Sequence, residues 1–320
     1  MGKATKPYVH LIRVSTTRLD GGTLFGATTK QQWERFVLPD RQNRVSIGNY
    51  IVLIRHEDGW VLVNTGPGDK PPLSLDAART RSRSSLVREL RQIGLMPKDI
   101  VAVVQTDLFS EYAGGCTHFT SSGRVLPTFP NARYIVHKDA LDEAMRPSRR
   151  NRHRYRADDV EPLLDSDQLE VVDRTTEICS GVWVEPAAGP TPGHQIVLCQ
   201  QGRATYAFLG MLVPTSMHLS PTVNAAYDWN PEATARTKVE VKRQAELESW
   251  LVAPVGRDEW VRAGQLESIE SFSLGRTALP QPVKTRRVAV PAPAASSAPA
   301  ASTEPVESET AATPPERVSA

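Results

Sequence analysis

The stretch QTDLFSEYAGG, residues 105–115, places two carboxylates, two hydroxyls and a phenol directly after the apolar run DIVAVV. Asp107 and Glu111 supply the acidic groups. Two carboxylates with no imidazole suit Mg²⁺ or Ca²⁺ rather than Zn²⁺. Without a metal, two close, partly buried carboxylates would raise the pKa of one of them and form an acid/base pair. Ser110 lacks the G-x-S-x-G turn and an obvious histidine partner, which argues against a serine nucleophile.

Further candidate groups follow along the chain. His194 ends a TPGH motif, and His218 follows VPTSM. Histidines in such positions are more often structural than catalytic. The stretch RPSRRNRHRYR, Arg146 to Arg156, is the one local excess of charge. It has the chemistry to grip phosphates or an acidic partner. The small net charge of the chain favours the alternative, a solvated helix face.

Composition bounds the class of protein. The 320 residues are 40% hydrophobic and 23% charged, with a formal net charge of +2, as in ordinary globular proteins. This balance argues against nucleic-acid binding. Three scattered cysteines form no C-x-x-C pair. The N-terminus has no apolar signal region, and no stretch is long enough to cross a bilayer. We therefore predict a cytoplasmic protein that does not bind membranes.

Alternating strand-like and helix-like segments predict the elements that must position these groups. Residues 49–66 read as a hairpin, and residues 84–95 as a helix with Leu86, Leu90 and Ile93 on one face. Strands dominate both halves, which favours an α/β (α+β) fold, two mixed sheets face to face with helices outside. We predict one such domain over residues 1–276. Residues 277–320, rich in Pro, Ala and Ser, are predicted to be a disordered tail.

Several ordered motifs resemble those of the metallo-β-lactamase-fold hydrolases, in particular the branch with quorum-quenching lactonases and organophosphate hydrolases. The segments that carry the resemblance are WVLVNTGPGDK, QTDLFSEYAGG, AAGPTPGHQIVL, FLGMLVPTSMHL and AYDWNPEATARTK. Together with LDGGTLFG, residues 19–26, and ESWLVAPVGRDEW, residues 248–260, they span about 250 residues of the chain. The resemblance implies an αββα sandwich. In the family, a T-H-x-H-x-D-H-x-G-G run, two further histidines and a bridging aspartate hold two metals.

The same alignment implies that the ligands have changed in this chain. The positions of the metal shell are occupied by Asp107, Phe109, Glu111, Tyr112, Pro190, Met211 and Gly256, or Arg257 if the alignment slips by one. The family's "DTG" aspartate is Asn64. Residues that match the family and outline a possible residual pocket, together with Asn64, are His194, His218, Tyr227 and Asp228. We therefore expect no metal and no other cofactor.

These observations predict a pseudoenzyme, a binding or regulatory module that has lost the two-metal site. Its ligand would be a small molecule in the former active-site cleft, or its partner another protein. One alternative is a hydrolase of lactones or other esters with a non-standard site around Asp107, Glu111, His194 and His218. A second alternative is a structural or assembly protein without a ligand.

Overall fold

The computed structural model describes residues 9–72, 86–253 and 260–263. The predicted tail, residues 277–320, lies outside the described residues, as do Gly256 and Arg257. Among the described residues, no helix combines the length and the apolar character that crossing a membrane requires.

The first sheet has six strands in the order β1-β2-β3-β4-β7-β8. Strands β1 to β3 are antiparallel neighbours, whereas β4, β7 and β8 follow β3 in parallel. The strands of this sheet are β1 Val9–Asp20, β2 Arg44–His56, β3 Gly59–Val63, β4 Ile100–Val104, β7 Arg133–His137 and β8 Leu169–Val172. The predicted hairpin of residues 49–66 is β2 and β3.

The second sheet also has six strands, in the order β14-β13-β12-β11-β10-β9. Its pairs are antiparallel except for β12 with β13. A separate small ribbon joins β5 Thr117–Phe119 to β6 Val125–Pro127. The strands of the second sheet are β9 Thr176–Cys179, β10 Val182–Pro186, β11 Gln195–Gln201, β12 Ala204–Phe208, β13 Leu251–Ala253 and β14 Val261–Arg262.

Helices connect and cover the strands. The longest helix begins at Pro231. A proline costs no hydrogen bond there, because the first helical N–H has no intrahelical partner. Asn230 caps the helix by accepting a hydrogen bond from the backbone N–H of Ala233. The described α-helices are α1 Gly21–Phe25, α2 Lys30–Trp33, α3 Leu86–Gln92, α4 Ser110–Ala113, α5 Lys138–Met145, α6 Glu161–Asp165 and α7 Pro231–Leu247.

The central strands of each sheet are buried on both faces, so they are apolar runs rather than alternating patterns. Along β2, Val52 belongs to the cluster between the two sheets, while Leu53 packs outward with Leu90 of α3. On the second sheet, Val197 faces inward and Leu198 packs outward with Trp250. This layering is the predicted sandwich of two mixed sheets with outer helices.

The helix predicted within residues 84–95 is α3, which ends at Gln92, while residues 84 and 85 lie outside the described residues. Leu86 and Leu90 are buried as predicted, but Ile93 is 43% exposed because α3 ends at Gln92. Gly94, at φ +81°, follows the helix in the left-handed conformation that glycine adopts readily. The periodicity was therefore correct for two of the three leucine and isoleucine positions.

Candidate functional site

The loops that follow β3 and β4 meet at one edge of the first sheet. Asn64 has φ +61° and lies just after β3. Its side-chain oxygen accepts a hydrogen bond of 2.9 Å from the backbone N–H of Thr106, and its Nδ2 donates to Thr106 Oγ1 at 3.0 Å. Asparagine tolerates this left-handed backbone better than most residues. Asn64 therefore ties together the ends of the two strands that carry the candidate site.

Glycines allow these loops to approach each other closely. A Cβ on Gly68, at φ +65°, would lie 2.4 Å from the carbonyl oxygen of Gly114. A Cβ on Gly114 would lie 2.3 Å from that of Pro67. Neither contact is possible for a real side chain, so glycine is required on both loops.

A buried ion pair fixes the same loops and was missed in the sequence. Lys70 Nζ lies 2.8 Å from Asp159 Oδ1, and the two side chains are only 2% and 1% exposed. The ammonium also donates to the carbonyl oxygens of Gly114, at 2.7 Å, and Thr117, at 2.9 Å. Ser110 donates to Asp159 Oδ2 at 2.6 Å, so its hydroxyl serves this cluster. No local motif indicated the pairing, because 89 residues separate the two charges.

Asp107 is buried, and both of its carboxylate oxygens are engaged. Oδ1 accepts a hydrogen bond of 2.7 Å from Phe109 N, and Oδ2 accepts one of 2.5 Å from Thr191 Oγ1. Burial raises the pKa of Asp107 to about 6, although both hydrogen bonds and the positive charge of Arg154 oppose the shift. The group is held in place by its neighbours rather than presented to solvent.

Phe109 and Met211 pack in one apolar cluster. Both are essentially inaccessible, at 0% and 1% exposure. They share the cluster with Tyr155, whose ring centroid lies 4.9 Å from that of Phe109, and Tyr112 and Tyr227 pack against it. Three of the mapped positions, Phe109, Tyr112 and Met211, thus contribute to the same apolar cluster.

A guanidinium lies within this cluster. Arg154 Cζ is 3.6 Å from the centroid of the Phe109 ring and 4.6 Å from that of Tyr227. Its Nε lies 3.5 Å from Glu111 Oε1. Burial raises the pKa values of Tyr112 and Tyr227, and the charge of Arg154 opposes both shifts. Arg154 is therefore the cation around which the aromatic and acidic groups are arranged.

The solvated face expected for Arg146 to Arg156 is only partly correct. Arg149, Arg150 and Arg152 are exposed, but the side chain of Arg154 is only 12% exposed. The stretch contains one 3-10 turn, Arg152–Arg154, instead of a helix, so successive arginines point in different directions. Tyr155, buried next to Arg154, was the one signal in the sequence that this part of the stretch turns inward.

The TPGH loop supports the site from the second sheet. Pro190 is buried, and its carbonyl oxygen accepts a hydrogen bond of 3.0 Å from Trp229 N. His194 Nδ1 lies 3.2 Å from the carbonyl oxygen of Ala187, and its Nε2 is buried without a hydrogen-bond partner among the described residues. Burial lowers the pKa of His194 to about 4, with the Ala187 carbonyl opposing. His194 is therefore neutral near pH 7.

His218 packs in a different cluster from Asp107 and Phe109. Its Nε2 lies 2.9 Å from the carbonyl oxygen of Leu24, its Nδ1 lies 2.8 Å from Thr215 Oγ1, and its ring stacks on Phe25 at 5.4 Å. Burial, together with the charge of Lys238, lowers the pKa of His218 to about 3. Both ring nitrogens are occupied, as in a structural histidine.

Asp228 lies beneath the start of α7. Burial raises its pKa, with the charge of Lys238 opposing the shift. Lys238 itself donates to the carbonyl oxygen of Val223 at 2.6 Å and to Asn224 Oδ1 at 2.9 Å. This buried pair of charges holds the loop before α7, which also carries Tyr227.

Potential metal ligands cluster elsewhere in the described part of the chain. Across residues 9–72, 86–253 and 260–263, the one group of three or more His, Cys, Asp or Glu side chains with donor atoms within 4.8 Å is His56, Glu57 and Asp58. His56 ends β2 and is half-buried, and Glu57 and Asp58 are exposed in the turn that follows. Exposed acidic groups of this type are common without a metal.

Comparison with known proteins identifies the fold. No family model matches the chain, and none of the curated proteins matches it. A probable metal-dependent hydrolase from Staphylococcus aureus superimposes with a TM-score of 0.74 and 22% identity, over 82% of this chain and 94% of that one. A hydrolase of the beta-lactamase superfamily gives 0.66 and 15%, over 81% and 95%. A dizinc quorum-quenching lactonase gives 0.63 and 15%, over 80% and 94%.

At these identities the likeness establishes the architecture. The chain has the metallo-β-lactamase fold, and the prediction of that fold is confirmed. The chain covers 94–95% of the length of each of these hydrolases, so the likeness extends over nearly the whole of each of those proteins.

Proposed function

We propose that this chain is a metallo-β-lactamase-fold protein without metal-dependent hydrolytic activity, which acts as a binding or regulatory module. The observation that carries the proposal is the guanidinium of Arg154, 3.6 Å over the ring of Phe109. It lies among side chains at the positions that the alignment assigns to the metal shell. A resident organic cation there stands in for the positive charge of metal ions.

The residue types do not fit a two-metal centre. A catalytic zinc takes about three ligands from His, Cys, Asp or Glu. Phe109, Pro190 and Met211 offer no ligand atom of this kind. Asp107 has both oxygens in hydrogen bonds, and Glu111 faces Arg154. A divalent cation would also be repelled by the guanidinium at short range.

One observation favours a second candidate, a hydrolase that acts without metal. The pKa of Asp107, raised to about 6 by burial, is close to the value that suits a general base near neutral pH. His218 does not support this candidate, because both of its nitrogens are hydrogen-bonded. Ester turnover that survives a chelator and disappears in Asp107→Ala would establish it; the absence of such turnover would remove it.

The proposed function is tested by metal analysis. The full chain is expressed in medium supplemented with zinc, iron or manganese, purified without chelator, and measured by inductively coupled plasma mass spectrometry. We expect far less than one metal per chain. A matched control is the same chain with ligands reinstalled by Asp107→His, Phe109→His, Glu111→Asp, Tyr112→His, Pro190→His and Met211→Asp. Stoichiometric metal in the parent chain would overturn the proposal.

A binding role is tested separately by thermal-shift screening of the parent chain against lactones, esters and phosphorylated metabolites. A ligand that binds the folded state raises its stability in proportion to the logarithm of ligand concentration. A thermal shift that grows with ligand concentration in this way supports the binding module. A chain that responds to none of these classes would instead favour a structural or assembly role.

A further inference from the structure

The surroundings of the Arg154 guanidinium have the composition of a cation site. Arg154 Cζ lies over the rings of Phe109, at 3.6 Å, and Tyr227, at 4.6 Å. The carboxylate of Glu111 approaches Nε at 3.5 Å. Aromatic faces carry negative partial charge and attract a cation held within about 6 Å, most strongly when both are shielded from water. Rings combined with a carboxylate are the means by which proteins bind ammonium and guanidinium groups.

The walls of this site and its occupant belong to separate parts of the chain. Phe109 caps the start of α4, Glu111 lies within α4, and Tyr227 precedes α7. The guanidinium instead reaches in from the turn Arg152–Arg154, whose first residue is exposed. The cation is thus one long side chain inserted into a site that other elements build.

Arg154 does not satisfy the site completely. Its Nη1 and the Oε2 of Glu111 are both buried, yet neither has a hydrogen-bond partner among the described residues. A buried polar group without a partner costs about 1–3 kcal/mol. The two unpaired atoms belong to a cation and a carboxylate that face each other, so Arg154 leaves part of the hydrogen-bonding capacity of the site unused.

We propose that Phe109, Tyr227 and Glu111 form a binding site for an organic cation of the guanidinium or alkylammonium class, which Arg154 occupies as a tethered competitor. The inference rests on the proposed function, since metal ions at the mapped positions would exclude a second cation. It also gives the binding module a ligand class.

The test removes the Arg154 side chain from the site and then measures whether a free organic cation binds there. Arg154→Ala removes the occupant, and ethylguanidinium is the probe, titrated from about 0.1 to 20 mM, a range set by the weak affinity of so small a ligand. N-ethylurea has nearly the same shape without the charge. Arg152→Ala removes an exposed arginine two residues away and is the matched control. Thermal unfolding is followed by circular dichroism.

We expect ethylguanidinium to raise the melting temperature of Arg154→Ala by about 2–4 °C at the top of this range, and by less at lower concentrations, as about 1 kcal/mol of ligand binding does in a domain of this size. N-ethylurea should have no such effect, and the parent chain and Arg152→Ala should respond much less. An equal response in all three proteins, or an equal response to the neutral probe, would overturn the proposal.

A second measurement remains decisive if Arg154→Ala does not fold. Arg154→Met and Phe109→Leu keep most of the side-chain volume, and a double-mutant cycle of urea unfolding measures the coupling between them. A clear coupling supports the site, whereas additive changes refute it. Metal analysis of the parent chain is independent of both measurements, so a metal-free parent with no coupling would refute the cation site and leave the proposed function standing.

Discussion

Acid should destabilise this protein through its buried histidines, and His218→Gln should relieve part of that effect. His218 is held neutral between the carbonyl oxygen of Leu24 and the hydroxyl of Thr215. Burial, with the charge of Lys238, lowers its pKa from 6.5 to about 3. Burial also lowers that of His194 to about 4. Below pH 6.5 the unfolded chain therefore binds protons that the folded chain does not.

The sign and size follow from proton linkage. The stabilising contribution of each histidine is complete above pH 6.5 and is lost as the pH falls, by about 1.4 kcal/mol per pH unit. Between pH 7 and pH 5 the two histidines together remove about 4 kcal/mol. Asp107 acts in the opposite direction, because its pKa is raised from 3.8 to about 6, and restores about 1.3 kcal/mol. The net loss, about 2–3 kcal/mol, is a large part of the 5–15 kcal/mol typical of a domain.

The assay is urea unfolding at half-unit intervals from pH 7 to pH 5. In His218→Gln the amide can still donate to Leu24, and the net loss should shrink to about 1 kcal/mol or less, because one titrating group is gone. His153→Gln replaces an exposed histidine and should behave like the parent chain. If His218→Gln and the parent lose stability with the same slope, His218 is not held neutral in the folded state and this reasoning is refuted.

Three further outcomes are expected. Lys70→Met should lower the free energy of unfolding by about 3–5 kcal/mol, because it leaves the buried carboxylate of Asp159 without its charge partner. Urea unfolding measures this change. A decrease as small as that caused by Lys→Met at an exposed position would contradict the burial of the pair. Asp107→Asn should raise the free energy of unfolding by about 1–3 kcal/mol at pH 7 but not at pH 4. The reason is that the substitution removes the cost of ionising a buried carboxyl with a pKa of about 6. Equal effects at the two pH values would show that ionisation is not the cause. Adding Arg154→Ala to the reinstalled ligand set should tighten zinc binding about ten-fold or more, because the guanidinium repels the incoming dication. Zinc affinity is measured by competition with a chromogenic chelator. Unchanged affinity would place Arg154 away from the point where the ligands converge.

The fold could be predicted well from sequence because its determinants are local. Runs such as IVLI and IVAVV are typical of strands buried on both faces. Asn64 and Gly68 have a left-handed backbone that few other residues adopt, and Gly114 leaves room for the close approach of Pro67. The prediction failed at Ile93, where the helix ended earlier than its apolar periodicity suggested. The order of side chains along a single strand or helix thus predicts which of its positions are buried.

The candidate site could be predicted only in part. The alignment assigns Phe109, Tyr112 and Met211 to the metal shell, and all three pack in one apolar cluster. Their correspondence to metal-ligand positions stays a prediction. The alignment did not reveal Lys70 with Asp159, or Arg154 over Phe109. These pairs join residues that are far apart in the chain or belong to a stretch that looked solvated. Their pairing depends on which side chains the folded loops bring within a few ångströms.

Sequence by itself thus determined the two-sheet architecture and the residue types at the mapped metal positions. Only the tertiary structure decided which cation lies beside Phe109 and how buried each charge is. The physical reason is that strand and turn formation depend on residues a few positions apart, whereas desolvation and cation–aromatic contact depend on three-dimensional distance. A run of arginines carries the same charge in any fold. The burial of the Arg154 guanidinium against two aromatic rings, by contrast, depends on how the folded chain packs.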